Sequence, residues 1–197
     1  MTVLSGQQIA ERIQEEKMVE NWQQDALNAA SLDIHLGHII LKEIPPDELR
    51  QGRPKIISLA KRDKMCMQEI NITNGRYVLR PGEFILAQSI EVFSLPNNIS
   101  AEYKLKSSMA RIGLEHLNAG WCDAGWHGSV LTLELRNMST YHDIEICHGD
   151  AIGQMIFYRH DAAPAHLSYA AKGNYNGNRL VQQAGFNSTD LVKTEDA

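Results

Sequence analysis

Apolar and polar residues alternate in short runs along most of this chain, the pattern of strands that bury one face and wet the other. In "SLDIHLGHIILKEI" the residues Leu32, Ile34 and Leu36 follow period two. "RYVLRPGEFILAQSIEVFSLP" reads as strand, Pro-Gly turn, strand. "GSVLTLELRN", "HDIEI" and "AIGQMIFY" are three further strand-like runs between turns. Helical signals are few. "LSGQQIAERIQEEK" starts with Ser5 and Gln8 at capping-box spacing, Leu4 and Ile9 as a hydrophobic staple, and Ile9 and Ile13 one turn apart; the helix should end near Lys17 or Met18. "AEYKLKSSMARIGL" begins as a strand and changes character at "SSMARIG", a short helix with Ser107 or Ser108 as cap and Gly113 as stop.

These elements predict a mainly β protein, sandwich-like or barrel-like, with an N-terminal helix. "IPPDELRQGRPK" is a polar, proline-bearing loop. "SYAAKGNYNGNRLVQQAGF" is rich in Gly and Asn without apolar periodicity and reads as a loop or lid, and "STDLVKTEDA" as a frayed tail. The organisation expected is one domain over residues 1–185 and a flexible tail over 186–197.

Composition narrows the functional classes. The 197 residues are 43% hydrophobic and 22% charged, ordinary for a soluble globular chain with room for a full core. A net charge of −5 disfavours general nucleic-acid binding through a basic surface. Cys66, Cys122 and Cys147 lie far apart and are odd in number, which fits a reducing compartment better than a disulfide framework. The N-terminus lacks the basic and apolar regions of a signal peptide, and no apolar run reaches the ~18 residues of a membrane span. A cytoplasmic protein without membrane association is expected.

Several chemistries lack their motifs. The zinc nucleobase deaminases need H-x-E followed by P-C-x-x-C, and neither occurs. There is no Walker A loop, no G-x-G-x-x-G and no G-x-S-x-G elbow. The 8 histidines are scattered without ligand spacing, so no protein-built metal site is expected. What remains is the stretch "GWCDAGWHGSVLTLELRN", with Asp123 in a Trp/Gly turn and Glu134 inside an apolar strand. A buried carboxylate costs several kcal/mol unless paired or hydrogen-bonded, so Glu134 belongs either to a wet sheet face or to a site. Strand parity puts it with Val130 and Thr132, opposite Leu131, Leu133 and Leu135.

Taken together, "KSSMARIGL" (106–114), "NAGWCDAGWHG" (118–128), "LTLELRN" and "AIGQMIF" resemble, in order and at similar distances, the dCTP deaminase branch of the dUTPase-like superfamily. "LSGQQI" and "ASLDIHLG" resemble its opening helix and first strand. The resemblance implies a distorted β-barrel or jelly-roll of dUTPase-like type, a homotrimer with active sites between subunits, and deamination without zinc. It implies that Glu134 is the acid/base that activates water at C4 of cytosine and returns the proton to the leaving ammonia. Arg111 would orient Glu134 through a bidentate pair, and Ser107 would touch the water and the substrate. Ser108 and Lys106 would meet phosphates, Lys106 in a neighbouring subunit's site. Ala119 would offer its carbonyl to the water, and Trp121 and Cys122 would border the pyrimidine; Trp126 reads as structural. Tyr169 matches a tyrosine near the phosphates.

Where single-activity members carry His-Arg, this chain has Gly120-Trp121, and "AGWCDAGW" is similar to the bifunctional branch that forms dUMP and pyrophosphate. There Asp123 would help place a second water at the α-phosphate, with Mg²⁺ bound through the substrate phosphates. Three features depart from the family pattern. The interval from Gly128 to Glu134 is one residue longer than the family spacing, so a β-bulge around 129–131 must absorb it if Glu134 is to face the site. Asn174 stands where the family has a phosphate-binding lysine, with Asn178 at the following glutamine position; Lys172 or Arg179 could substitute. His148 replaces a proline before Gly149.

The function this implies is metal-free deamination of a deoxycytidine nucleotide, dCTP in the first place, supplying dUTP or dUMP for thymidylate synthesis. Deoxycytidine, deoxyuridine and thymidine nucleotides are the expected ligands. The alternatives are a dUTPase, whose Gly-rich C-terminal phosphate motif "GNYNGNRLVQQAGF" lacks, and a nucleotide-binding regulatory module without turnover.

Overall fold

The computed structural model describes residues 1–185 apart from residues 48, 50, 51, 53, 54, 59 and 60. The expected tail, 186–197, and part of the proline-bearing loop therefore lie outside the described residues. In chain order the elements are β1 (Thr2–Val3), α1 (Gly6–Glu16), β2 (Val19–Glu20), β3 (Leu32–Glu43), β4 (Met67–Asn71), β5 (Arg76–Leu79), β6 (Phe84–Ser94), β7 (Ile99–Leu105), α2 (Ser107–Arg111), β8 (Leu114–His116), β9 (Trp121–Cys122), β10 (His127–Asn137), β11 (Ile144–Cys147), β12 (Ala151–Arg159) and α3 (Tyr169–Lys172). The protein is mainly β, as the alternation predicts.

Ten strands form one curled antiparallel sheet with the path β8-β10-β6-β3-β12-β7-β9; β1, β2 and β4 join it at β12, β6 and β3. β5 and β11 form a separate two-stranded ladder. The strands on either side of the Pro81-Gly82 turn therefore pair with different partners. Glu83 holds this junction: its Oε2 accepts the Arg80 N–H at 2.8 Å, and its Oε1 accepts the Tyr77 hydroxyl and lies 3.1 Å from Lys42 Nζ.

Inside the curl, Leu32, Ile34, Leu36, Ile40, Leu79, Ile85, Phe93, Leu133, Leu135, Met155 and Phe157 are all fully buried. Helix α1 closes one side. Its Ser5 capping box is complete, Leu4, Ile9 and Ile13 are buried, and Lys17 ends it in the left-handed region at φ 56°.

Helix α2 differs from expectation in its cap. Lys106 holds the N-cap position and no side chain caps the helix. The reason is the chain path: the Lys106 N–H is still paired with the Ile152 carbonyl, while its own carbonyl already accepts the Met109 and Ala110 N–H groups. Both Ser107 and Ser108 are left exposed. Gly113, at φ 89°, stops the helix as predicted.

Candidate active site

A cavity of about 530 Å³ opens against the β10–β6 face. Val130, Leu131, Thr132 and Glu134 of β10 and Phe84 and Leu86 of β6 form its floor. Ala119, Trp121, Cys122 and Trp126 form one wall, and Tyr169, Tyr175, Gln182, Gln183 and Ala184 another; residues of the 57–67 segment complete the rim.

Glu134 reaches this cavity because the ladder is irregular. Along β10, His127 pairs with Ser94 and Ser129 with Phe93, so Gly128 is an extra residue there. Its φ of 63° is the left-handed conformation that suits glycine at a bulge. A second irregularity follows: Val130 pairs with Val92 but Thr132 with Gln88, the excess now lying on β6 at 89–91. From Thr132 on the pairing is regular, with Leu133 and Leu135 in the core and Thr132 and Glu134 toward the cavity. The compensation begins at Gly128, one residue ahead of the stretch expected to bulge. Ser89 fills the irregular part of β6: its hydroxyl accepts the Leu131 N–H at 2.9 Å and donates to the Glu91 carbonyl at 2.7 Å.

The side chain of Glu134 is 25% exposed, and its Oε2 lies 3.1 Å from His116 Nε2. His116 sits on β8, next to β10, with 4% of its side chain exposed. Sequence reasoning counted it among scattered histidines; only the β8–β10 register, which pairs it with Leu135, brings it to Glu134. The expected Arg111–Glu134 pair is not formed within the chain. Arg111 is exposed at the end of α2, away from the cavity, and neither it nor Ser107 nor Ser108 lines the wall. Lys106 is held in an ion pair by Asp33, whose other oxygen accepts from Asn28.

Ala119, Trp121 and Cys122 stand on the wall, positioned by Asn118 at φ 59° and by the Tyr103 N–H donating to the Gly120 carbonyl at 2.8 Å. Burial pushes the Cys122 thiol up to about 12, and the negative charges of Asp123 and Glu134 push the same way. Cys122 therefore stays an unreactive thiol at neutral pH. Asp123 itself is exposed, with its Oδ1 accepting the Trp121 indole N–H at 2.8 Å. Trp126 is buried, stacks on Phe93 at 5.6 Å and donates its Nε1 to the Tyr175 carbonyl at 3.2 Å.

The C-terminal segment forms a strap along the cavity. After a 3-10 turn at Ala165–Leu167 and the short α3, it is tied to β10 and β6: the Gly177 N–H donates to the His127 carbonyl, the Val130 N–H to the Asn178 carbonyl, and the Val181 N–H to Gln88 Oε1 on β6. Tyr169 is half-buried on the wall, its phenol raised chiefly by burial. Asn178 acts through its backbone rather than as a wall side chain. Lys172 closes α3. Arg179, the other candidate replacement for the missing lysine, is paired with Glu20 at 2.8 Å. Thr132, Phe84 and Leu86 on the floor and Met65 and Met67 on the rim are lining residues that the sequence does not single out, because nothing local separates them from their neighbours.

Fold and site together define a protein of dUTPase-like architecture. The crystal structure of 2′-deoxycytidine 5′-triphosphate deaminase from Agrobacterium tumefaciens superposes with a TM-score of 0.61 at 21% identity, covering 80% of this chain and 48% of that longer one. The chain belongs to the dCTP deaminase-like family, whose model matches residues 3–160. Among its relatives, the "dCTP deaminase, dUMP-forming" of Methanosphaerula palustris is 34% identical over 179 residues, 90% of this chain and 91% of that protein. The protein of the same name from Methanoculleus marisnigri is 33% identical over 174 residues, 86% and 88% of the two chains. Among the described residues, no helix is long and apolar enough to cross a membrane.

Proposed function

We propose that this protein deaminates dCTP and carries the product on to dUMP, releasing ammonia and pyrophosphate. The observation that carries this reading is Glu134: in a strand whose other side chains from Leu131 to Leu135 are buried or nearly so, it alone is charged, and it opens into the cavity. A water at C4 of the cytosine loses a proton to Glu134, and the same carboxyl returns it to the exocyclic nitrogen, which leaves as ammonia. The Ala119 carbonyl orients that water. A second water, placed with the help of Asp123, attacks the α-phosphorus and expels pyrophosphate, so dCTP and two waters give dUMP, ammonia and pyrophosphate. Mg²⁺ would be held through the substrate phosphates rather than by protein ligands, and would supply positive charge there. The dUMP-forming names of the relatives support the second step.

The exposed α2 suits a homotrimer in which Ser107, Ser108 and Arg111 complete the cavity of a neighbouring copy. In that arrangement Arg111 meets Glu134 across the interface, and Lys106 faces phosphate from its pair with Asp33.

The test is to incubate the pure protein with dCTP, dUTP and dCMP plus Mg²⁺ and to separate the products. Ammonia with dUMP and pyrophosphate from dCTP is expected. Ammonia with dUTP alone removes the second step. Hydrolysis of dUTP without ammonia from any substrate, or no turnover, overturns the reading. Glu134→Gln should lower ammonia release by about 10²–10⁴-fold while the protein stays folded and assembled.

A further inference from the structure

Gln183 lines the cavity without a task in the proposed reaction. Among the described residues, the buried side-chain polar atoms without a hydrogen-bond partner include Glu134 Oε2 and Gln183 Oε1, and both residues belong to the cavity lining. Native interiors seldom leave such atoms unpaired, and each one calls for a reason. Glu134 has its reason in the water it would activate. Gln183 lies on the strap beyond Asn178, and nothing in the chain meets its acceptor.

The sheet fixes where Gln183 stands. Gln88 on β6 pairs with Thr132 on β10, and the two side chains hold the strap just ahead of it. Gln88 Oε1 accepts the Val181 N–H at 3.0 Å, and Thr132 Oγ1 accepts the Gln182 N–H at 3.5 Å. Gln88 is 4% exposed, and Gly37 makes room for it, since a Cβ there would lie 2.6 Å from Gln88 Cγ. Val181 is buried as well, in a cluster with Ile39 and Leu86. Thr132 and Glu134 share the cavity face of β10, as alternate strand positions do. Gln183, the next residue of the strap, is thereby anchored at the part of the floor from which Glu134 rises. The floor around them is Phe84, Leu86, Val130 and Leu131, an apolar surface that suits a flat uncharged ring better than a phosphate.

We propose that Gln183 is a specificity residue that reads the pyrimidine edge at C4, its carboxamide hydrogen-bonding cytosine before deamination and uracil after it. This rests on the proposed function. Deamination inverts that edge: cytosine presents an acceptor at N3 and a donor at N4, and uracil a donor at N3 and an acceptor at O4. A carboxamide carries an acceptor and a donor side by side. Half a turn about its last torsion, which is broad and roughly twofold, exchanges the two. One side chain then pairs with either base, whereas a fixed backbone group or a charged side chain would match one and oppose the other. The acceptor left unpaired in the free protein finds its partner on the bound base.

Gln183→Met is the test, because it keeps the length of the side chain and removes both polar groups. It is made in the Glu134→Gln protein, so that no base is deaminated during binding. The probes are non-cleavable α,β-imido triphosphates of deoxycytidine, deoxyuridine and the pyrimidin-2-one deoxynucleoside, which has hydrogen at C4 in place of the amino or oxo group. With Gln183 present, the first two should bind about tenfold more tightly than the third. Gln183→Met should shrink that preference by about threefold or more, while the melting temperature of the free protein holds, because only an unpaired acceptor is lost. A preference absent with Gln183 present, or shrunk by less than that in Gln183→Met, overturns the proposal: a mere wall residue leaves all three probes bound as before, and a phosphate or sugar contact weakens all three equally. Ammonia release from dCTP by the parent is measured beside it. If the parent releases none, the proposed function fails; if it releases ammonia and the preference survives Gln183→Met, only the role of Gln183 fails.

Discussion

The indole Nε1 of Trp121 donates to Oδ1 of Asp123 at 2.8 Å. Two residues apart on an extended segment, they project to the same side. Asp123 is exposed and does not line the cavity, while Glu134 rises from its floor. The two acids thus stand in different settings, one in solvent and one in the cavity. Asp123→Asn keeps an acceptor for the indole and removes the charge. Pyrophosphate release should fall about 10²-fold with ammonia release within severalfold of the parent, so that dUTP accumulates. Product chromatography checks this.

Glu83 should show a pH signature. Burial is the largest single influence on its carboxyl and pushes it up, but hydrogen bonds from Tyr77, the Arg80 N–H and Lys42 together outweigh it, leaving the group below its ordinary 4.5. A carboxyl lowered in the folded state adds stability above its unfolded value, and that stability is lost as the pH falls through the folded value. Glu83→Gln should therefore cost about 1–2 kcal/mol at pH 7. The difference from the parent should shrink below about pH 4.5. Thermal or urea unfolding across pH 3–7 measures it.

Gly128→Ala isolates the bulge. A Cβ there would meet nothing nearer than Gly177 Cα at 3.7 Å, so space does not forbid it. The φ of 63° does, at a cost of about 1–2 kcal/mol for an L-residue. The melting temperature should fall by about 2–8 °C for a chain of this size. Activity should fall further than stability, because the bulge sets the face on which Glu134 emerges.

Ser129→Ala tests the strap. The hydroxyl is fully buried, lies 2.6 Å from the Tyr175 carbonyl and accepts the Asn178 N–H at 3.2 Å. Removing it leaves backbone groups of the strap unpaired, at a cost of about 1–3 kcal/mol. Limited proteolysis should cut residues 173–185 faster in the variant, and nucleotide binding should weaken before the barrel unfolds.

Much of this fold was legible because its signals are local. The Ser5–Gln8 box, the Leu32–Ile34–Leu36 alternation and the stop at Gly113 depend on residues within a turn or a few positions of each other, and each stands where expected. Cap assignment at α2 was not, because it turned on whether Lys106 still belonged to the sheet, which its bond to Ile152 decides from 46 positions away in sequence. The candidate site divides in the same way. Glu134 drew notice as a lone acid in an apolar run, whereas His116 had no such contrast with its neighbours.

The sequence by itself determined a chain of short strands with one capped helix, two acids of contrasting setting and the motif order of its family, since propensity, periodicity and spacing are properties of neighbouring residues. Tertiary structure alone decided which face Glu134 takes, through Gly128 on β10 and the compensating excess at 89–91 on β6. It also decided that His116 stands beside that carboxylate and that Arg111 does not reach it within one chain. Register is a relation between strands far apart in sequence, and a one-residue change on either partner reverses the side on which a charge appears.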